Sequence, residues 1–335
     1  MATIEDVARA AGVSASTVSY VLSGKRSISA PTRQRVEKAI QQLGYRPHAG
    51  ARALASSRTN VLALMAPLRA GVEVNVIMQF VSSVVLRARD YSYDVLLLTQ
   101  DDVSGAERVG AGSMVDGIIV MDVEAQDARL PSLARLRQPT VLIGLPRSPG
   151  TLSCVDLDFE AAGRLALDHL VGLGHRHVAF VGPPPEVMAR HTSYADRVLR
   201  GFSGAARDAG IDARTIECEG TAPGAAAAVD ELLAHDPALS AVLVHNESAL
   251  PHVVARFAEH GRRVPDDLSV MIISPPEVAT AQPVPLTSID IPTERVARVA
   301  VEMTMARIDG DEPAETRLLT PVVTDRGSTL PAVSP

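Results

Sequence analysis

Apolar positions recur with helical spacing in the first 58 residues and fall into short continuous runs after Val61. Ile4, Val7, Ala8 and Ala11 lie at i, i+3, i+4 and i+7, which gives a first short helix one apolar face. Thr3 is placed to cap that helix, with Asp6 three residues on to answer it. Gly12 supplies a turn, and Ser14 is placed to cap a second helix whose inward face is Val18, Val21 and Leu22. Ser23-Gly24 ends it, because glycine tolerates a left-handed cap. Ser29 is placed to cap a third helix with Pro31 in its first turn; Val36, Ala39, Ile40 and Leu43 form its stripe, and Gly44 closes it. Two short helices about a tight glycine-containing turn make the helix-turn-helix pattern, although spacing alone fits an ordinary helical hairpin equally well.

From Val61 the period changes. Apolar runs of strand length occupy 61–65, 95–98, 117–121, 140–143, 177–181, 241–244 and 269–273. Helical patterns at 76–91, 161–173, 194–209, 223–234 and 249–261 lie among them. Buried strands alternating with helices predict parallel sheets covered on both faces, and the length allows about two. Ligands of such sheets sit at the strands' carboxyl ends or in a crevice between domains. That rule makes pocket candidates of Leu68 and Arg69 after the first strand, Gln100 after the second and Asp122 after the third. Each is equally well read as a solvated loop residue.

Charge sharpens the division. Residues 1–58 hold nine basic and three acidic side chains, a net +6; the chain's −7 therefore leaves −13 on the remainder. A basic head on an acidic body is the footprint of a phosphate-binding module joined to something with another task. A hydrophobic content of 46% permits sizeable cores. No apolar run approaches the roughly 20 residues that span a bilayer, and the chain opens on a capped helix rather than a secretory leader. The expectation is a cytoplasmic protein with no membrane contact. Cys154 and Cys218 stand far apart without a CxxC pair and read as reduced thiols. No GxxxxGK[ST], HExxH or GxSxG motif occurs, so no enzyme, cofactor or metal is expected. His175 and His177 flank a turn before a strand and are poor metal candidates.

The stretch TIEDVARAAGVSASTVSYVLSGKRSISAPTRQRVEKAIQQLGYRPHAGARALAS, from Thr3 to Ser57, resembles the DNA-binding head of the LacI/GalR family of bacterial transcription regulators. The likeness runs without a gap through D-V-A-x-x-A-G-V-S-x-x-T-V-S, the segment from Ile28 to Val36, and L-G-Y-x-P. It implies that Ala15, Ser16 and Tyr20 face base edges in the major groove. Ala15 can touch a thymine methyl, and Ser16 can donate or accept. Ser14, Thr17 and Ser19 are expected on phosphates, with Thr3, Arg26 and Ser29 in the same interface; capping and packing also account for Thr17 and Ser19. Residues 48–56 match a hinge that becomes helical on operator DNA. There Leu54 corresponds to a minor-groove wedge and Arg52 lies beside the backbone. Gly50 opposes helix by about 1 kcal/mol, and a flexible linker is the alternative.

The likeness continues through 155–163, 169–182, 200–211, 246–250, 264–270, 285–292 and 318–329, which resemble the family's effector domain. The fold class implied is a small all-α helix-turn-helix head plus an α/β periplasmic-binding-protein-like body with two parallel-sheet subdomains. The head would occupy 1–58 and the body 59–335. Its N-terminal subdomain would take about 60–157 and 288–320, and its C-terminal one about 158–287 and 321–335. Asp158 and Asn246 match ligand-contacting positions. Val198 and Ser274 stand where relatives carry an arginine and an aspartate, with Arg197 alongside. Three readings stay open: a smaller or less hydroxylated effector, Arg197 in the missing role, or no sugar at all. The resemblance implies a repressor of a catabolic or transport operon. It would be a homodimer on near-palindromic operator DNA, controlled by a sugar-like small-molecule effector between the subdomains. A non-sugar or lost effector site, or an enzyme using the cleft, are the alternatives.

Overall fold

The computed structural model describes residues 2–23, 26–45, 58–100, 102–112, 114–310 and 312–332. The hinge expectation at 48–56, with Gly50, Arg52 and Leu54, lies outside them. The head is three helices: α1 (Ile4–Ala11), α2 (Ala15–Ser23) and α3 (Ala30–Leu43). Thr3 and Asp6 form a reciprocal capping box, Asp6 N donating to Thr3 Oγ1 at 3.3 Å and Thr3 N to Asp6 Oδ2 at 3.0 Å. Gly12 sits at φ 63°, the left-handed region that lets α1 stop and α2 turn away. Thr17 N donates to Ser14 Oγ at 3.2 Å, capping α2. Ser29 precedes α3 but makes no side-chain cap bond; its hydroxyl donates to Thr32 Oγ1 at 3.0 Å instead. Pro31 at the second position removes one of the two N–H groups such a cap could use, and that of Thr32 is left uncapped by Ser29. Val7, Ala8, Ala11, Val18, Val36, Ala39 and Tyr45 close the core of this bundle.

The body has two six-stranded sheets. The first contains β1 (Val61–Met65), β2 (Asp94–Leu98), β3 (Gly117–Val120), β4 (Thr140–Ile143), β5 (Ser153–Leu157) and β11 (Thr316–Leu319), in the order β11-β5-β4-β3-β1-β2. The second contains β6 (Val178–Gly182), β7 (Arg214–Glu217), β8 (Ala241–Val244), β9 (Ser269–Ser274), β10 (Thr287–Asp290) and β12 (Val323–Thr324), in the order β12-β10-β9-β8-β6-β7. All pairings are parallel except β12 against β10. β10 pairs with β9 through Thr287↔Met271, so the chain returns to the first subdomain after Asp290 rather than at 288. The next helix, Thr293–Asp309, packs on helix Val74–Asp90 and on β3 to β5.

The second subdomain is entered through helix Phe159–Gly172, which packs along helix Ser193–Asp208. Their approach is set by two glycines. A Cβ on Gly201 would lie 1.9 Å from the Glu160 carbonyl oxygen, and one on Gly163 would lie 2.2 Å from the Val198 carbonyl oxygen. Val198 and Phe202 are fully buried at this crossing, and the Phe202 ring stands 5.3 Å from that of Phe180. Gly201→Ala forces backbone against backbone, and overpacking of this kind costs ~1–3 kcal/mol or more. Urea or thermal denaturation is expected to show that loss; an unchanged midpoint would mean that the two helices can separate freely.

Candidate functional site

Two places gather the residues expected to act. On the head, the first turn of α2 presents a hydroxyl cluster. Ser14 Oγ lies 2.8 Å from Ser16 Oγ and 2.9 Å from Thr17 Oγ1, with Ser14 and Ser16 exposed and Ala15, Thr17 and Ser19 half-buried. Val18, between them, is fully buried and fixes which side of α2 faces outward. Tyr20 is exposed one turn later, and the Arg26 guanidinium lies 5.9 Å above its ring. Thr3 and Ser29 are exposed at the starts of α1 and α3. Helix α2 and the residues just beyond it thus carry short polar groups at one end and an aromatic ring with a cation toward the other, which suits phosphate contact and groove reading.

In the body, a cavity of about 120 Å³ lies between the subdomains. The first subdomain contributes Val72, Glu73, Ile77, Phe80, Met121, Asp122 and Asp156 to its wall; the second contributes Phe159, Tyr194, His245, Asn246, Glu247 and Ser248. Hydrogen bonds hold the two subdomains together around it. Ser248 Oγ donates to Glu73 Oε2 at 2.5 Å, and Arg190 Nη1 donates to the Ala70 carbonyl at 3.1 Å. Ala125 N donates to the His191 carbonyl at 2.8 Å, Ser193 N to the Val123 carbonyl at 2.9 Å, and Ser193 Oγ to the Leu145 carbonyl.

Of the expected effector residues, Asp122 and Asn246 line this cavity. Asp122 follows β3 at φ 51°, a strained conformation for a non-glycine residue. Burial raises its pKa, and Arg69, whose Nη1 lies 3.1 Å from both Asp122 and Glu124, opposes the rise. Asn246 is committed to the scaffold: Nδ2 donates to the Cys218 carbonyl at 2.6 Å and the Gly182 carbonyl at 3.3 Å, and Oδ1 accepts from Ala249 N at 3.0 Å. Arg197 stands just behind the wall. Its Nη1 donates to Asp156 Oδ2 at 2.7 Å, and its Nη2 to the Leu157 carbonyl at 3.2 Å and Asp158 Oδ1 at 3.4 Å. Asp158 caps helix Phe159–Gly172 through Ala161 N at 3.1 Å and opens on a separate surface groove with Arg164 and Arg200.

Seven of the nine expected effector residues stand outside this wall, Arg69, Asp158 and Arg197 in the places just described and four others elsewhere. Val198 points into the helix crossing and Ser274 is fully buried, its hydroxyl donating to the Pro275 carbonyl at 3.0 Å; neither lines the cavity. Leu68 and Gln100 are exposed and also stand outside the wall. The residues that sequence reasoning missed are Glu73, Asp156, Phe159, Tyr194, His245 and Glu247. The Phe159, Tyr194 and His245 rings form a cluster, with centroids 5.7 Å (Phe159–Tyr194), 5.9 Å (Phe159–His245) and 5.4 Å (Tyr194–His245) apart. A signal was present: the chain has only five Phe, five Tyr and no Trp, and Phe159 directly follows Asp158 while His245 and Glu247 flank Asn246.

The wall's titrations follow from its dryness. Burial drives His245 down to about 4, so its ring is neutral. Burial pushes Asp156 up against the pull of Arg197. Burial, helped by the Glu73 carboxylate, pushes Glu247 up to about 7 from its usual 4.5. An acid raised in the fold contributes stability that is complete below its unfolded pKa and lost as pH rises through its folded pKa. Glu247→Gln removes that loss. Its melting temperature is therefore expected to fall less than that of the wild type between about pH 5 and about pH 8. Parallel pH curves for the two proteins would contradict the assignment.

Comparison with known proteins agrees with this division of the chain. The lacI family of bacterial regulatory proteins matches residues 3–48, and a periplasmic binding protein-like domain matches residues 167–329. The HTH-type transcriptional regulator CelR of Thermobifida fusca is 31% identical over 335 residues, covering 95% of each chain. A solved CelR–cellobiose complex is similar with a TM-score of 0.69 at 27% identity, covering 98% of this chain and 100% of that one. A lac repressor dimer bound to operator and the anti-inducer ONPF gives a TM-score of 0.83 at 24% identity, a likeness of fold, over 98% and 99% of the two chains. These relatives are transcription regulators rather than enzymes, and with the same head joined to the same kind of body this chain belongs to the LacI family of bacterial transcription regulators.

Proposed function

We propose that the protein is a repressor of a catabolic or transport operon, working in the cytoplasm as a homodimer on a near-palindromic operator. Its DNA affinity is set by a small organic metabolite enclosed between the subdomains. The observation that carries this reading is the cavity walled by both subdomains and closed by the Glu73–Ser248 hydrogen bond, in a chain whose other end presents a reading helix. A ligand touching both walls favours one interdomain angle over another, and it shifts DNA binding only by its differential affinity for the two. Met78, Val85 and Leu86 lie exposed along helix Val74–Asp90 and support pairing of two copies through that face. Two-fold pairing places two heads on two half-sites. Ala15, Ser16 and Tyr20 then read bases; Thr3, Ser14, Thr17, Ser19, Arg26 and Ser29 hold the backbone; and Arg52 and Leu54 work in the minor groove between half-sites.

Fluorescence anisotropy on an operator selected from random DNA tests the reading: a regulator selects a two-fold site and releases it when the effector is added. A metabolite collection in which no member alters operator affinity would overturn the effector half of the proposal. Leu54→Gly is expected to weaken operator binding far more than binding to random DNA, and equal losses would remove the wedge. Operator affinity is also expected to fall at least about tenfold between roughly 50 and 200 mM salt, through release of counterions from the phosphates.

A further inference from the structure

The cavity wall is rich in carboxyl groups and has no basic side chain of its own. Asn246 uses both Nδ2–H groups and Oδ1 on backbone partners. Arg69 and Arg197 are bound to carboxylates, Ser193 donates to the Leu145 carbonyl, and Ser248 donates to Glu73. The donors of Asn246, Ser193 and Ser248 are therefore engaged, whereas the Arg190 guanidinium, which acts on Asp122 and Tyr194, keeps Nε and Nη2 buried without a hydrogen-bond partner. His245 is only 4% exposed, and its Nδ1 is likewise unpartnered, a donor or an acceptor according to the ring's tautomer. Glu247 has no cationic partner among the described residues and faces the like charge of Glu73. Four carboxyl groups line the cavity and no Lys or Arg does.

A neutral sugar hydroxyl brings no counter-charge to a buried carboxylate. An ammonium group only donates, and its charge relieves a carboxylate that burial otherwise penalises. Aromatic faces add to this, since a cation near a desolvated ring is held by the ring's quadrupole. Among the described residues no His, Cys, Asp and Glu side chains are grouped as metal ligands would be, so the charge called for is organic. The cavity's 120 Å³ is well under the roughly 300–1,000 Å³ of drug-sized sites, which calls for a small ligand.

We propose that the effector is a small organic cation, its ammonium group seated against the Phe159, Tyr194 and His245 rings and held by the Glu247 carboxylate. This rests on the cleft being the effector site, and it names the chemistry that the site selects. The test is calorimetry of the full-length protein with methylamine, trimethylamine, ethanolamine and choline at constant ionic strength. Alongside them go a set of neutral sugars and the uncharged isostere of choline, in which carbon replaces the nitrogen. At least one amine is expected to bind and change operator affinity, and a binding amine is expected to lose about tenfold or more in Glu247→Gln. If choline is the amine that binds, its isostere is expected to be about tenfold weaker or worse on the wild type, a comparison that does not depend on the variant folding. An isostere that binds as well as choline overturns the inference. A sugar that binds and shifts operator affinity while no amine binds overturns the cation and leaves the effector-controlled regulator standing. Failure of both sets to change operator affinity overturns the cation and counts against the effector reading as well.

Discussion

The contact between Arg197 and Asp156 is the constraint from which the body's working parts follow. Asp156 lies in β5 of the first sheet and Arg197 in helix Ser193–Asp208 of the second subdomain, so a single buried pair at 2.7 Å joins the two halves. Taking two charges out of water is costly, and such a pair is weak evidence for added stability. Its value lies in direction. The guanidinium also donates to the Leu157 carbonyl and to Asp158, the residues at which the chain leaves the first sheet and starts the next helix. One side chain thereby registers a strand end, a helix start and a neighbouring helix against each other. The glycine pair Gly163 and Gly201 brings those helices close enough for it to reach.

The same pair decides what the cleft offers a ligand. An arginine free in the cavity would supply donors and positive charge. Bound to Asp156, Arg197 supplies no free donor, although its guanidinium lies 5.9 Å from the centroid of the Phe159 ring, and Arg69 is likewise turned onto Asp122 and Glu124. What remains facing inward is apolar side chains, a ring cluster and carboxyl groups whose pKa burial raises. The polarity of the pocket is thus a product of ion pairs formed at its edge.

The seven apolar runs were legible as strands because they are continuous and contain little else; six are buried on both faces, and β2, at a sheet edge, is half-exposed. β5, β7, β10, β11 and β12 were not, and the reason is visible in each: Asp156 interrupts β5, Arg214 and Glu217 bound the exposed edge strand β7, Asp290 ends β10, Thr316-Arg317 opens β11, and β12 is only two residues long. The head's caps at Thr3 and Ser14 were legible because they are local, whereas the Ser29 hydroxyl turns to Thr32 Oγ1 instead of a backbone N–H. The pocket was hardest to read. Motif matching names positions along the chain, but one residue on a helix turns the side chain by about 100°. That turn separates Val198, packed on Gly163, from Arg197, behind the cavity wall. The rings of Phe159, Tyr194 and His245 come from three separate segments of the second subdomain that meet only when it has folded.

Glu73 closes the cavity through Ser248 and also caps helix Val74–Asp90, accepting from Asn75 N at 3.0 Å. A 17-residue helix is about 25 Å long, so a tilt of about 5° at that capped end would carry the far end by roughly 2 Å. The helix is then a lever with its short arm at the ligand and its long arm beneath Met78, Val85 and Leu86. Opening or shutting one hydrogen bond would be magnified into a displacement large enough to repack an apolar surface far from where the metabolite sits.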